Sequence, residues 1–157
     1  YCWLENLTPA VQDIISMADF LFLNTIEFNK FADENNIATD WAKAKSILST
    51  GPEKATLIVK EETEIKIYQW ENGEISEQIF PIDVLSDEKI VDATGAGDVF
   101  AAGFLTILLL QGEGNIREAV ELGMRFMRAK LLLSPEKLYP ELANIYKQYK
   151  EVCQKLG

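Results

Sequence analysis

The chain contains no histidine. That removes the side chain most often used as a general base or metal ligand near neutral pH. Only two cysteines are present, Cys2 and Cys153, near opposite ends and outside any metal-type or redox-type spacing. Two such thiols make no disulfide framework, which favours a reducing, cytoplasmic setting. Positive charge is also scarce: 15 Lys and Arg stand against 25 Asp and Glu, a formal net charge of −10. Nucleic acids and anionic membrane surfaces are bound by clustered Lys and Arg, so neither is expected as a partner. No apolar run reaches the roughly 18 residues needed to span a bilayer, and no signal peptide is visible. A starting Met is missing too. The opening Tyr1-Cys2-Trp3-Leu4 reads as the interior of a longer protein.

What is present is 157 residues with 48% hydrophobic content, enough for one domain with a sizeable core. Thr8-Pro9 reads as a helix start, followed by Val11, Ile14, Ile15 and Ala18 at helical spacing. Phe20 to Leu23 is a short apolar run between Asp19 and Asn24, as expected of a strand buried on both faces. Residues 26 to 35 read as a helix. Asp40 is expected to cap another through Leu48, stopped by Gly51 and Pro52. Ala55 to Val59 is a second buried strand. Glu64 to Trp70 alternates, Asn72-Gly73 is a hairpin signal, and Glu74 to Pro81 returns. Ile90-Val91 is expected to end a further strand. Val99 to Leu110 reads as a helix apolar almost all round, and therefore buried. Gly112 and Gly114 end it. Asn115 and Glu118 resemble a capping box opening a helix through Leu133. Ser134-Pro135 starts a turn, and a stripe from Leu142 to Leu156 marks a last helix. Strands alternating with helices predict an α/β fold with a mostly parallel sheet and an inserted β-hairpin.

One stretch asks for a chemical explanation. Asp92-Ala-Thr-Gly-Ala-Gly-Asp98 lies just before the helix of Val99 to Leu110. Gly95 and Gly97 allow positive φ and close approach of the backbone to a ligand. Free amides at the helix start, with its dipole, attract an anion. An aspartate there would repel a bound phosphate, but it suits a base that takes a proton from an attacking hydroxyl. The plainer alternative is a glycine-rich turn with Asp98 as helix cap. A dinucleotide-binding turn is disfavoured: the third glycine of G-x-G-x-x-G is missing, and so is an acidic residue at a later strand end.

The longer run Asp92-Ala93-Thr94-Gly95-Ala96-Gly97-Asp98-Val99-Phe100, followed by Ala101-Ala102-Gly103-Phe104, resembles the second signature of PfkB-type carbohydrate kinases, the ribokinase-like family. Asn24-Thr25-Ile26-Glu27 resembles that family's Asn-x-x-Glu motif. The resemblance implies a ribokinase-like fold, of which residues 1–157 would be the carboxyl-terminal part and so a partial domain. It implies ATP-dependent phosphotransfer to a hydroxyl of a sugar, a sugar acid or a nucleoside. Asp98 would be the catalytic base, and Thr94, Gly95, Ala96 and Gly97 the anion hole and phosphate contacts. Asn24 and Glu27 would hold Mg²⁺ through water, and Asp92 a monovalent cation such as K⁺. The implied protein partners are a second copy of the chain or a missing amino-terminal half. One departure is visible: Lys60-Glu-Glu-Thr-Glu64 stands where the family commonly has a glycine-bearing turn. That departure, with the missing half, motivates the competing expectation of a non-catalytic binding or assembly module. Arg125, Arg128 and Lys130 are expected on a solvated face, and Met124, Phe126 and Met127 in the core.

Overall fold

The computed structural model describes residues 9–33 and 39–156. The chain divides into two compact units, Tyr1–Asp83 and Val84–Gly157. In the first lie α1 (Pro9–Met17), β1 (Phe20–Asn24), α2 (Thr25–Asp33), α3 (Asp40–Leu48), β2 (Lys54–Lys60), β3 (Glu64–Glu71) and β4 (Glu74–Pro81). The Thr8 cap and the expected end of α2 at residue 35 fall outside the described residues.

The four strands form one sheet in the order β1-β2-β3-β4. β1 and β2 run parallel, with Phe20 opposite Thr56 and Asn24 opposite Lys60. The pairs β2–β3 and β3–β4 are antiparallel. The α/β class and the hairpin are as expected, but the sheet within the described residues is mixed. Asn72 and Gly73 close the hairpin at φ 54° and 82°, a turn whose twist suits antiparallel strands. β3 then continues the sheet beside β2 instead of standing apart from it. Every residue from Ala55 to Val59 is buried, and full burial of each Leu, Ile or Val side chain stabilises by about 1.5–3 kcal/mol. β1 is less buried than its apolar run predicts: only Leu23 is fully buried, because β1 is the outer strand of the four.

Phe28 of α2 stacks on Tyr68 of β3 at 6.2 Å between ring centroids, and Ala44, Ile47 and Leu48 of α3 join the same core. The cap of α3 is Thr39, whose hydroxyl oxygen accepts from Ala42 N–H at 3.3 Å. Asp40 is drawn elsewhere, to Lys66 at 2.9 Å.

The second unit holds α4 (Ala96–Gln111), α5 (Ile116–Leu132) and α6 (Pro135–Leu156). The strand expected at Ile90-Val91 does not form. Asp87–Lys89 makes a single 3₁₀ turn, and Val91 N–H donates to the Leu131 carbonyl in the last turn of α5 at 2.8 Å. A helix carbonyl thus takes the amide that a neighbouring strand would otherwise pair. α4 starts three residues before the expected Val99 and is not buried all round: Leu109 is 86% exposed. Asn115 does not close a capping box. Its amide donates to the carbonyls of Gln111 (2.7 Å) and Gly112 (3.3 Å), satisfying the end of α4 rather than the start of α5. Ser134-Pro135 opens α6 directly, with Leu138 N–H donating to Ser134 O at 3.0 Å.

α4 and α5 meet backbone to backbone. A Cβ on Gly103 would lie 2.9 Å from Gly123 Cα, and one on Gly123 would lie 2.8 Å from the Phe100 ring. Neither position admits a side chain without moving a helix. Gly123→Ala is therefore expected to lower the unfolding free energy by about 1–3 kcal/mol. Gly114→Ala, where a Cβ meets nothing within 4 Å, should change it by less than about 0.5 kcal/mol. Urea unfolding of the two variants checks this.

Candidate active site

In the second unit, residues 91 to 98 form a fastened turn. Asp92 Oδ1 accepts from Thr94 N–H at 2.9 Å, an Asx turn that reverses the chain. Lys130 of α5 donates to Asp92 Oδ2 and, at 3.3 Å, to the Asp92 carbonyl. The Lys130 ammonium, helped by the Thr94 amide, holds the Asp92 carboxyl down at about 2. Lys130 is therefore not on the solvated face expected of it: its side chain is 12% exposed. Arg125 and Arg128 are exposed, and Phe126 and Met127 are buried, as the sequence indicates.

Gly95 is the N-cap of α4, in the left-handed region at φ 75°. An L side chain there costs about 1–2 kcal/mol. Gly97, in contrast, lies inside the helix and needs no positive φ. Its hydrogens face open space, with nothing within 4 Å of a Cβ. Ala96 N–H donates to Ala93 O (3.2 Å) and Val99 N–H to Gly95 O (3.0 Å). Among the described residues the amides without an acceptor are thus those of Gly95, Gly97 and Asp98; of the Gly95-to-Gly97 set expected from the sequence, that of Ala96 is committed. Thr94 and Asp98 are both exposed. A carboxylate in the first turn of a helix, beside two open amides, can take a proton next to a bound anion.

In the first unit, Asn24 and Glu27 form a closed capping box at the start of α2. Asn24 N–H donates to Glu27 Oε2 and Glu27 N–H to Asn24 Oδ1, both at 2.9 Å. This fixes the rotamers of both side chains. Glu27 Oε1 takes no part in the box, so the pair can still accept from water on a metal. Among the described residues no three His, Cys, Asp or Glu side chains gather as a metal cage.

The carboxyl ends of the parallel strands β1 and β2 place Asn24 beside Lys60, where open α/β sheets bind ligands. Of the acidic turn that follows, Glu61 and Glu64 are held by a lysine, while Glu62 is exposed. Lys66 of β3 binds Glu61 (2.7 Å), Asp40 (2.9 Å) and Glu64 (3.4 Å). Burial opposes the Lys66 charge, yet the carboxylates outweigh it and raise its pKa. The sequence carries no local signal for this cluster, because its members come from α3, the 61–64 turn and β3.

The sequence pattern of the pfkB family carbohydrate kinases matches residues 2–133, and the chain belongs to that family. Among curated relatives, the adenosine kinase of Schizophyllum commune is 29% identical over 145 residues, covering 85% of this chain and 41% of that protein. Adenosine kinase 2 of Arabidopsis thaliana is 32% identical over 124 residues, covering 76% and 35%. The solved adenosine kinase of Anopheles gambiae, in complex with P1,P4-di(adenosine-5) tetraphosphate, is similar with a TM-score of 0.68 and 26% identity, over 82% of this chain and 39% of that one. The aminoimidazole riboside kinase of Salmonella enterica, complexed with aminoimidazole riboside and an ATP analogue, has a TM-score of 0.60 at 15% identity, over 87% and 44%. That last likeness concerns the fold alone. The chain spans about two fifths of the length of the relatives it matches. No described helix is long and apolar enough to cross a membrane.

The capping box separates two roles of Glu27. Glu27→Gln keeps an oxygen to accept from Asn24 N–H and should leave the unfolding free energy within about 0.5 kcal/mol. Glu27→Ala should lower it by about 1 kcal/mol. Thermal unfolding of both variants checks the difference.

Proposed function

We propose that the chain is the carboxyl-terminal, phosphate-handling part of a kinase that transfers a phosphoryl group from ATP to a hydroxyl of a sugar or nucleoside. The observation that carries this reading is the start of α4. A left-handed glycine cap sets two open amides, Gly97 and Asp98, beside the exposed Asp98 carboxylate. The adenosine kinase relatives support a nucleoside as acceptor.

In this reading the amides of Gly97 and Asp98 face the transferring phosphoryl group and stabilise its charge. Asp98 accepts the acceptor hydroxyl's proton as the new oxygen–phosphorus bond forms and ADP leaves. Gly95 and Thr94 shape the turn. Asn24 and Glu27 would hold Mg²⁺ through water, and the ion would supply charge neutralisation on the nucleotide phosphates. Binding of Glu61 and Glu64 by Lys66 lessens the repulsion that the carboxylates of the 61–64 turn would exert on nucleotide phosphates. The loss of glycine from that turn still favours a second reading, in which the chain is a binding or assembly module without turnover.

Calorimetry with ATP and ADP, with Mg²⁺ present, tests the choice. Micromolar binding is expected for this chain and for Asp98→Asn alike, since the carboxylate acts in the chemical step and not in holding nucleotide. Phosphoryl transfer by the longer protein carrying Asp98→Asn should fall at least about 10²-fold. No nucleotide binding by either chain contradicts the kinase reading and leaves the module.

A further inference from the structure

A monovalent cation at Asp92, as the family resemblance implies, would need the oxygens of that residue. Asp92 has three: two on the carboxylate and one carbonyl. Oδ1 accepts from Thr94 N–H. Oδ2 and the carbonyl oxygen both accept from the Lys130 ammonium. Each of the three oxygens already accepts from a donor within the chain, and two of them face a positive charge. A second cation here would have to share these oxygens with that ammonium and face its charge at close range. Asp92 therefore does not fit a free monovalent ion in this chain.

We propose that Lys130 is a tethered substitute for the monovalent cation, so that the turn carrying Asp98 is set without one. The ammonium is delivered by the last turn of α5, the end of the helix dipole that favours a positive charge. The same turn accepts Val91 N–H through the Leu131 carbonyl. Val91 and Asp92 are thus pinned to one end of α5. The Asx turn at Asp92–Thr94 leads from there into the Gly95 cap and the open amides of Gly97 and Asp98. A positive charge bridging the carbonyl and carboxylate of one residue does mechanically what a bound ion would do. Because it is covalently attached, its effective concentration does not depend on the salt around it. Lys130 is in this sense a positioning residue. The inference rests on the proposed function for what the turn does, and not for where the ammonium sits.

The test uses the chain itself, with thallous ion as the probe for a potassium-type site. Thallium-205 NMR and thermal unfolding in KCl and in choline chloride, at equal ionic strength, are measured for the wild type, Lys130→Met and Lys130→Gln. The wild type should show no saturable thallous binding and the same unfolding midpoint in both salts. Each variant that folds, judged by circular dichroism, should gain a saturable thallous site competed by K⁺. It should also melt about 3 °C higher in KCl than in choline chloride. Saturable binding by the wild type overturns the proposal, and this arm does not depend on either variant folding. Folded variants with no response to K⁺ or thallous ion also overturn it, leaving Lys130 as an ordinary ion-pair partner. No readout involves nucleotide or turnover, so failure of the kinase reading appears in the calorimetry and not here.

Discussion

The ammonium of Lys130, shared between the carboxylate and the carbonyl of Asp92, is the contact that holds the segment leading into α4. It joins the end of α5 to the segment that leads into α4. From that joint the chain has only Ala93 and Thr94 before Gly95 caps the helix. The direction in which the Gly97 and Asp98 amides point follows from where this short segment is held. The opposite constraint is steric. Gly103 and Gly123 let the two helices touch along their backbones, so α4 cannot slide on α5 without a clash. A polar clasp at one end and a close approach along the helices leave the first turn of α4 little freedom.

The first unit answers a different problem, an excess of negative charge close to the carboxyl ends of β1 and β2. Lys66 collects Asp40, Glu61 and Glu64 around a mostly buried ammonium. Partly exposed pairs of this kind add little stability one by one. Their importance is directional: they turn carboxylates from the 61–64 segment onto β3. The capping box of Asn24 and Glu27 is directional in the same way, since it fixes the carboxylate while leaving one of its oxygens over.

Much of this was legible in the sequence, where a local signal carried it. Asn72-Gly73 set the hairpin to the residue, and the runs Phe20–Leu23 and Ala55–Val59 marked β1 and β2. The glycine-aspartate run marked the start of α4 and the family. The misreadings, that of Asn115 aside, share a cause: a partner distant in sequence took a group away from its local role. Asp40 went to Lys66 and left the cap to Thr39. Asn115 turned back to the carbonyls of α4. Val91 gave its amide to Leu131, and no strand formed. Lys130 looked like one more charge on a solvated face, because nothing in its neighbours reveals Asp92, 38 positions away. The glycines divided for a further reason: Gly95 is required by its positive φ, whereas at Gly97 a Cβ would meet nothing within 4 Å.

The central claim is that the Gly97 and Asp98 amides form the anion-binding end of the molecule. Nitrogen-15 labelled chain titrated with MgATP, its amide resonances followed one by one, tests that most directly. The account predicts that the Gly97 and Asp98 amides shift in a saturable way, while the committed amides of Ala96 and Val99 move less. Saturable shifts elsewhere in the chain, with Gly97 and Asp98 unmoved, would contradict it.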